Sequence, residues 1–161
     1  MRKACHVVLV ATLVGIISIP AALALQVSDP DELKMHVLDA RTVKLEQPKG
    51  KLSITFVSWE SWKTSSAFNP IVTQLDTKGT TNVDHSLRFG YSPNGAYCGL
   101  YNPSGSVEIA AGTLTRPDSK TAKCVAPTAK IDISKKIRWR VLSTYASVTD
   151  HAPNSGFAIG T

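Results

Sequence analysis

From Thr42 onward the chain keeps apolar residues two apart between clusters of glycine, proline, asparagine and serine, and this period of two most restricts its fold. A strand sends successive side chains to opposite faces, so such alternation builds a sheet with one buried face. Val43 and Leu45 precede a Gln47-Pro48-Lys49-Gly50 turn, after which Leu52, Ile54 and Phe56 alternate with Ser53 and Thr55. Val57 and Trp59 continue on the other parity, as at a bulge or in a strand buried on both faces. Ile71, Thr73 and Leu75 give another strand. Leu87, Phe89 and Tyr91 lead through Ser92-Pro93-Asn94-Gly95 into Ala96 to Tyr101, and Asn-Gly there supplies the positive φ angles of a tight hairpin. Asn102-Pro103-Ser104-Gly105 turns the chain again, Val107 and Ile109 open a further strand, and Arg116-Pro117-Asp118-Ser119 closes that meander. Residues 131–133, 137–141 and 156–159 supply the last strands. The expected fold is mainly β, an antiparallel β-sandwich or small barrel of about seven to nine short strands. One short N-terminal helix over 30–39 is added by Asp29-Pro30-Asp31-Glu32, which offers a cap, a first-turn proline and a glutamate three residues on. The competing reading makes Leu33, Met35 and Val37 one face of a strand.

The opening residues set the compartment. Met1-Arg2-Lys3, an apolar run from about Val7 to Ile19, Pro20 and then Ala22-Leu23-Ala24 have the form of a secretory signal peptide. Cleavage near Ala24 leaves a single secreted β-rich domain, 25–161, destined for the cell surface, the medium or the periplasm. Nothing after Leu25 approaches the roughly 18 consecutive apolar residues of a membrane span, so no transmembrane anchor is expected. Of three cysteines, Cys5 departs with the leader; Cys98 and Cys124 remain and are expected to form a structural disulfide. On the chain-entropy estimate it contributes about 3.5 kcal/mol.

Charge is unevenly distributed. Eight basic residues stand against Asp118 and Asp132 between Arg116 and Arg140, whereas the rest of the expected mature chain is slightly acidic. In Ile137-Arg138-Trp139-Arg140-Val141 the two arginines project from one strand face, where paired guanidinium groups can grip sulfate, phosphate or carboxylate. Arg138, Arg140, Lys135, Lys136 and Lys123 are therefore candidate contacts for an anionic glycan or lipid headgroup; a solvated outer face that protects an edge is the plainer use of the same residues. Nucleic acid is not expected, because export removes the usual partners and no base-stacking motif is present.

Trp59, Trp62, Tyr97 and Tyr101 are candidate aromatic contacts, each weighed against core or cross-strand packing. Parity places one tryptophan in the core and the other near the rim. No catalytic, cofactor or metal motif is found: His36, His85 and His151 are dispersed, and neither a G-x-S-x-G nor a P-loop occurs. Asp84-His85 could orient an imidazole, and a glycan hydrolase would have to draw its carboxylates from Glu60, Asp76, Asp84 or Glu108. The leading expectation is a non-enzymatic exported protein acting by surface contact, as a fimbria-like structural or adhesive subunit that associates with itself or with protein partners. The alternative is a monomeric secreted binder or inhibitor of an anionic glycan, lipid headgroup or protein; a secreted hydrolase ranks third. The cysteines stand mid-chain and the last residues lack a terminal aromatic, unlike many chaperone-assisted pilins.

Overall fold

The computed structural model describes residues 24–31, 37–67, 69–133 and 137–160. The expected leader lies outside the described residues apart from Ala24, as do Lys135, Lys136 and residues 32–36 of the expected helix. The described ends of that segment, Pro30–Asp31 and Val37–Asp39, are coil and turn.

Among the described residues there are twelve strands, in two antiparallel sheets, and one short 3-10 helix. The first sheet has the order β1 (Ala24–Ser28), β2 (Ala40–Glu46), β3 (Lys51–Ser58), β9 (Thr121–Pro127), β8 (Thr113–Thr115). The second runs β11 (Val148–Ala152), β10 (Ile137–Tyr145), β4 (Ile71–Asp76), β5 (His85–Ser92), β6 (Gly95–Tyr101), β7 (Glu108–Ala111), and β12 (Ala158–Gly160) joins β10 beside β11. The sandwich is thus the expected one, with more strands than the seven to nine read from the sequence.

The alternation explains the core. Leu52, Ile54 and Phe56 of β3 are completely buried, as are Ile71 and Leu75 of β4 and Trp139 of β10, while the intervening Thr55, Val57, Val72, Gln74, Arg138 and Arg140 are half-buried on the other face. The parity slip expected after Phe56 does not occur: Ser58 is buried in phase with Phe56, Val57 is half-buried, and Trp59 lies beyond the end of β3. The bulge is on the partner strand, where the register shifts between Ala40 and Thr42 and Arg41 is an extra residue on β2. Residues 131–133 are not a strand; they form a bend and coil, and Ile131 and Ile133 are satisfied by packing half-buried against the core. Two strands carry the alternation weakly in their sequence. In β9 the inward residues are the small Ala122, Cys124 and Ala126. In β11 the buried positions are Asp150 and Ala152, so no strong apolar face stands out. Strand β1 does alternate, with Leu25 and Val27 packed against the core and Gln26 and Ser28 exposed.

The sheets close on each other along both sides. On one side Cys98 of β6 and Cys124 of β9 form a disulfide with Cα atoms 5.7 Å apart, joining the two sheets. Beside it the chain passes from β7 to β8 through Gly112, whose N–H donates to the Cys98 carbonyl at 2.8 Å. A Cβ at Gly112 would lie 2.5 Å from the Val125 carbonyl oxygen and 2.6 Å from the Cys98 sulfur, so only glycine fits this corner. On the other side β2 meets β11. Asp150 Oδ2 accepts the Ala40 N–H at 2.8 Å, and Ser143 Oγ donates to the Leu38 carbonyl at 2.6 Å. At one end the connection 59–67 crosses from β3 to β4 and plugs the core with Trp62, 4 % exposed, whose ring meets Tyr91 edge-on.

Candidate functional site

Strand β10 carries large inward residues, Ile137, Trp139 and Val141, and sends Arg138 and Arg140 to the outer face of the seven-stranded sheet. The register then sets their neighbours. Arg140 stands opposite Gln74, Gln74 opposite Ser86, Ser86 opposite Tyr101, and Tyr101 opposite Glu108. Gln74 Oε1 accepts from Arg140 Nε at 3.2 Å and Nη2 at 2.7 Å, which fixes the plane of the guanidinium. Phe157, in the turn before β12, lies under both arginines, with guanidinium carbons 5.4 Å and 5.0 Å from its ring centre. Two cations thus share one ring on this face.

Next to it the face sinks into an open depression of about 410 Å³. Val72, Leu142 and Pro70 line it with carbon, and Asn69, Gln74 and Thr144 bring amide and hydroxyl groups to it. Arg88 is its cationic wall. Arg88 Nε donates to Ser86 Oγ at 3.1 Å and Nη2 donates to the Ser104 carbonyl at 3.0 Å. Its guanidinium lies over Gly105, where a Cβ would be only 1.6 Å from the guanidinium carbon. The loop 102–106 thereby holds this cation in place.

Beyond Arg88, two tyrosines of β6 lie across glycines. A Cβ on Gly90 would meet the Tyr97 hydroxyl oxygen at 3.0 Å, and one on Gly99 would meet Tyr101 Cε2 at 2.9 Å. Arg88 is 5.8 Å from the Tyr101 ring centre, and the Tyr101 hydroxyl donates to Glu108 Oε2 at 2.9 Å. Burial pushes both phenols above their usual pKa; Glu108 raises Tyr101 further, and Arg88 opposes the shift in each case. Both hydroxyls stay protonated at neutral pH.

The other residues singled out in the sequence are dispersed. Lys123 is on the opposite sheet, its Nζ 3.8 Å from Glu46 Oε2, and Lys44 Nζ is 2.7 Å from Glu46 Oε1. The Lys44 hydrogen bond is the main reason the Glu46 carboxyl is held below its ordinary pKa; burial opposes it, and the Lys44 and Lys123 charges add to it. Arg116 stacks on Trp62, 4.0 Å from its ring centre, and hydrogen-bonds the Trp62 carbonyl. Lys120 Nζ donates to the Trp59 carbonyl at 2.6 Å. Among the described residues the basic run therefore serves several places, and Arg138 and Arg140 are the pair brought together. Trp62 is the core tryptophan; Trp59 is half-buried at the rim under Arg41, with Nε1 donating to the Asp29 carbonyl at 3.2 Å.

The carboxylates considered for hydrolysis have structural occupations. Asp76 accepts from Thr80 N–H at 2.9 Å and Thr81 N–H at 2.7 Å. Burial alone would raise its pKa, but the Thr80, Thr81 and Gly79 amides, together with Arg138, hold it below the usual value. Asp84 accepts from Thr77 N–H at 2.9 Å and from Thr77 Oγ1 at 3.0 Å, and its Oδ1 is 3.0 Å from His85 Nδ1. Asp76 and Asp84 thus organise the loop between β4 and β5. Glu60 is exposed, and Glu108 is taken by Tyr101.

Sequence reasoning missed one cluster. Asp29, Asp39 and Asp150 are all buried, and one carboxylate oxygen from each lies within 4.8 Å of the others. An all-oxygen set suits a hard cation such as Ca²⁺, and three donors supply part of the six to eight that Ca²⁺ takes. No spacing announces it, because the three residues meet only where β1, β2 and β11 converge. Comparisons with known proteins found no match: no family model, no curated protein and no solved structure aligns significantly with this chain.

Proposed function

We propose that this chain is an exported, non-enzymatic β-sandwich that acts by contact, using the outer face of its seven-stranded sheet to hold an anionic ligand. The observation that carries the reading is the pair Arg138 and Arg140 on one ring, with Arg140 oriented by Gln74. An oriented guanidinium loses little freedom on binding, and its planar donors match carboxylate, sulfate and phosphate. The opposite sheet offers less, since Lys44 and Lys123 already pair with Glu46. Export belongs to the same proposal and is supported by the leader-like start and by the Cys98–Cys124 bridge, a bond that persists in oxidising compartments. No helix among the described residues is long and apolar enough to cross a membrane.

Retention on immobilised heparin, used as a generic sulfated polyanion, tests the reading. The Arg138→Ala/Arg140→Ala double variant should elute at clearly lower salt than wild type, and Lys123→Ala should elute nearly as wild type does. Equal elution of the arginine variant and wild type overturns the assignment of the face.

A structural or adhesive subunit, the leading expectation from the sequence, is the second reading, supported by β1, an edge strand that among the described residues pairs with β2 alone. Such a strand can pair with a second copy. Native mass spectrometry of the purified protein should then give a ladder of non-covalent multimers; a monomer at all concentrations removes this reading.

A further inference from the structure

We infer that the ligand of the seven-stranded face is an acidic oligosaccharide laid across the strands from β10 to β6, with acidic groups at Arg140 and Arg88 and sugar rings against Tyr97 and Tyr101. This rests on the anion-binding reading above and adds the chemistry and length of the ligand. Three observations carry it.

The first is the separation of the charges. Arg140 and Arg88 are fixed by different partners, Gln74 on one side and Ser86 with Ser104 on the other. Arg140 on β10 and Arg88 on β5 stand two inter-strand steps apart, roughly 10 Å across the sheet. One small anion cannot satisfy both ends. A chain that repeats its acidic group can.

The second is the surface between them. Val72, Leu142 and Pro70 present carbon, while Asn69, Gln74 and Thr144 present neutral hydrogen-bonding groups. A sugar ring has the matching pair of properties, a face of C–H bonds and a rim of hydroxyls. An acyl chain finds no continuous apolar patch, because the exposed large apolar residues Val107, Val148 and Ile159 stand on separate elements.

The third is the use of glycine. Gly99 lets the Tyr101 ring lie across the sheet, 2.9 Å from where a Cβ would stand, and Gly90 makes room first for the Ala67 carbonyl, at 2.7 Å, and then for the Tyr97 hydroxyl, at 3.0 Å. Rings laid along a polar surface offer stacking faces to a sugar.

Isothermal titration of the purified protein tests this with four probes: an α-1,4-linked galacturonate hexamer, the galacturonate monomer, a heparin-type hexasaccharide and neutral maltohexaose. At least one acidic hexamer should bind ten-fold or more tighter than the monomer, and maltohexaose should bind weakly. Tyr101→Leu should weaken the hexamer by about ten-fold and leave the monomer unchanged, and Tyr101→Phe, which keeps the ring, should bind as wild type. Tyr97→Leu gives an independent copy of the measurement should Tyr101→Leu lose its native circular dichroism. Equal affinity for monomer and hexamer, or no loss in either leucine variant, overturns the inference while Arg138→Ala/Arg140→Ala still abolishes anion binding. Capture of phosphatidylserine vesicles with no binding of either acidic hexamer also overturns it and points to a headgroup. Failure of every anionic probe removes both this inference and the reading beneath it.

Discussion

The two sides along which the sheets close are built from different chemistry. At the β6–β9 side the joint is a covalent bond beside a glycine corner, with no ionised group in it. At the β2–β11 side the joint is polar: Asp150 holds the Ala40 amide and Ser143 holds the Leu38 carbonyl, with Asp29 and Asp39 close to Asp150. A disulfide acts chiefly by restricting the unfolded chain and is indifferent to pH until it is reduced. A carboxylate holding a buried amide acts in the folded state, through a hydrogen bond that water cannot replace. The same geometric task, keeping two sheets in register, is therefore sensitive to redox conditions on one side and to removal of a single polar atom on the other.

The largest break should come from the covalent side. Replacing both Cys98 and Cys124 with alanine should cost about 3.5 kcal/mol in urea unfolding, and adding reductant to wild type should reproduce most of the loss. Gly112→Ala, with the disulfide intact, should cost about 1–3 kcal/mol, because the new methyl has backbone on one side and sulfur on the other. A loss below half a kcal/mol would mean that the corner relaxes. On the polar side Asp150→Ala should cost about 1–3 kcal/mol by leaving the Ala40 amide buried without its acceptor. Combined with the cysteine variant, the losses should add to within about 0.5 kcal/mol if the two sides are independent; a larger discrepancy shows that they are coupled.

A smaller effect of opposite sign is expected at the tip of the polar side. The β10–β11 hairpin turns through Ala146 and Ser147, at φ 48° and 67°, a turn with two positive φ angles built without glycine or asparagine. Ala146→Asn/Ser147→Gly should raise stability by about 1 kcal/mol, measured as a higher urea midpoint at unchanged slope. The smallest effect is set by pH. Asp76 has a native pKa below its unfolded value of 3.8, so its ionised form stabilises the fold above that pH, and the advantage disappears as pH falls through the native pKa. The melting temperature of Asp76→Asn should trail wild type most at neutral pH and converge with it in acid; a constant gap would detach the loop from the ionisation of Asp76.

The two hairpins show what was legible. Ser92-Pro93-Asn94-Gly95 announced its turn, and the hairpin is there, although Pro93 and Asn94 form its centre and Gly95 alone takes positive φ, at 115°. Ala146-Ser147 announced nothing, since neither residue prefers that backbone; the pairing of Tyr145 with Val148 imposes it. The candidate site divides in the same way. Arg138 and Arg140 could be read as neighbours because a strand repeats every two residues. Their company with Phe157, Gln74 and Arg88 could not, because those residues come from three other segments.

Local periodicity by itself determined the β class, the buried parity of β3, β4 and β10, the projection of the arginine pair and the pairing of the two cysteines expected after the leader. These depend on the geometry of one strand or on counting, and one stretch of chain contains the whole signal. Only the tertiary structure decided that Lys123 and Arg140 belong to opposite faces, that Gly112 is the corner, and that three distant aspartates meet. Each of those is a fact of strand order, which rests on contacts between segments far apart in the chain and leaves no periodic trace in any one of them.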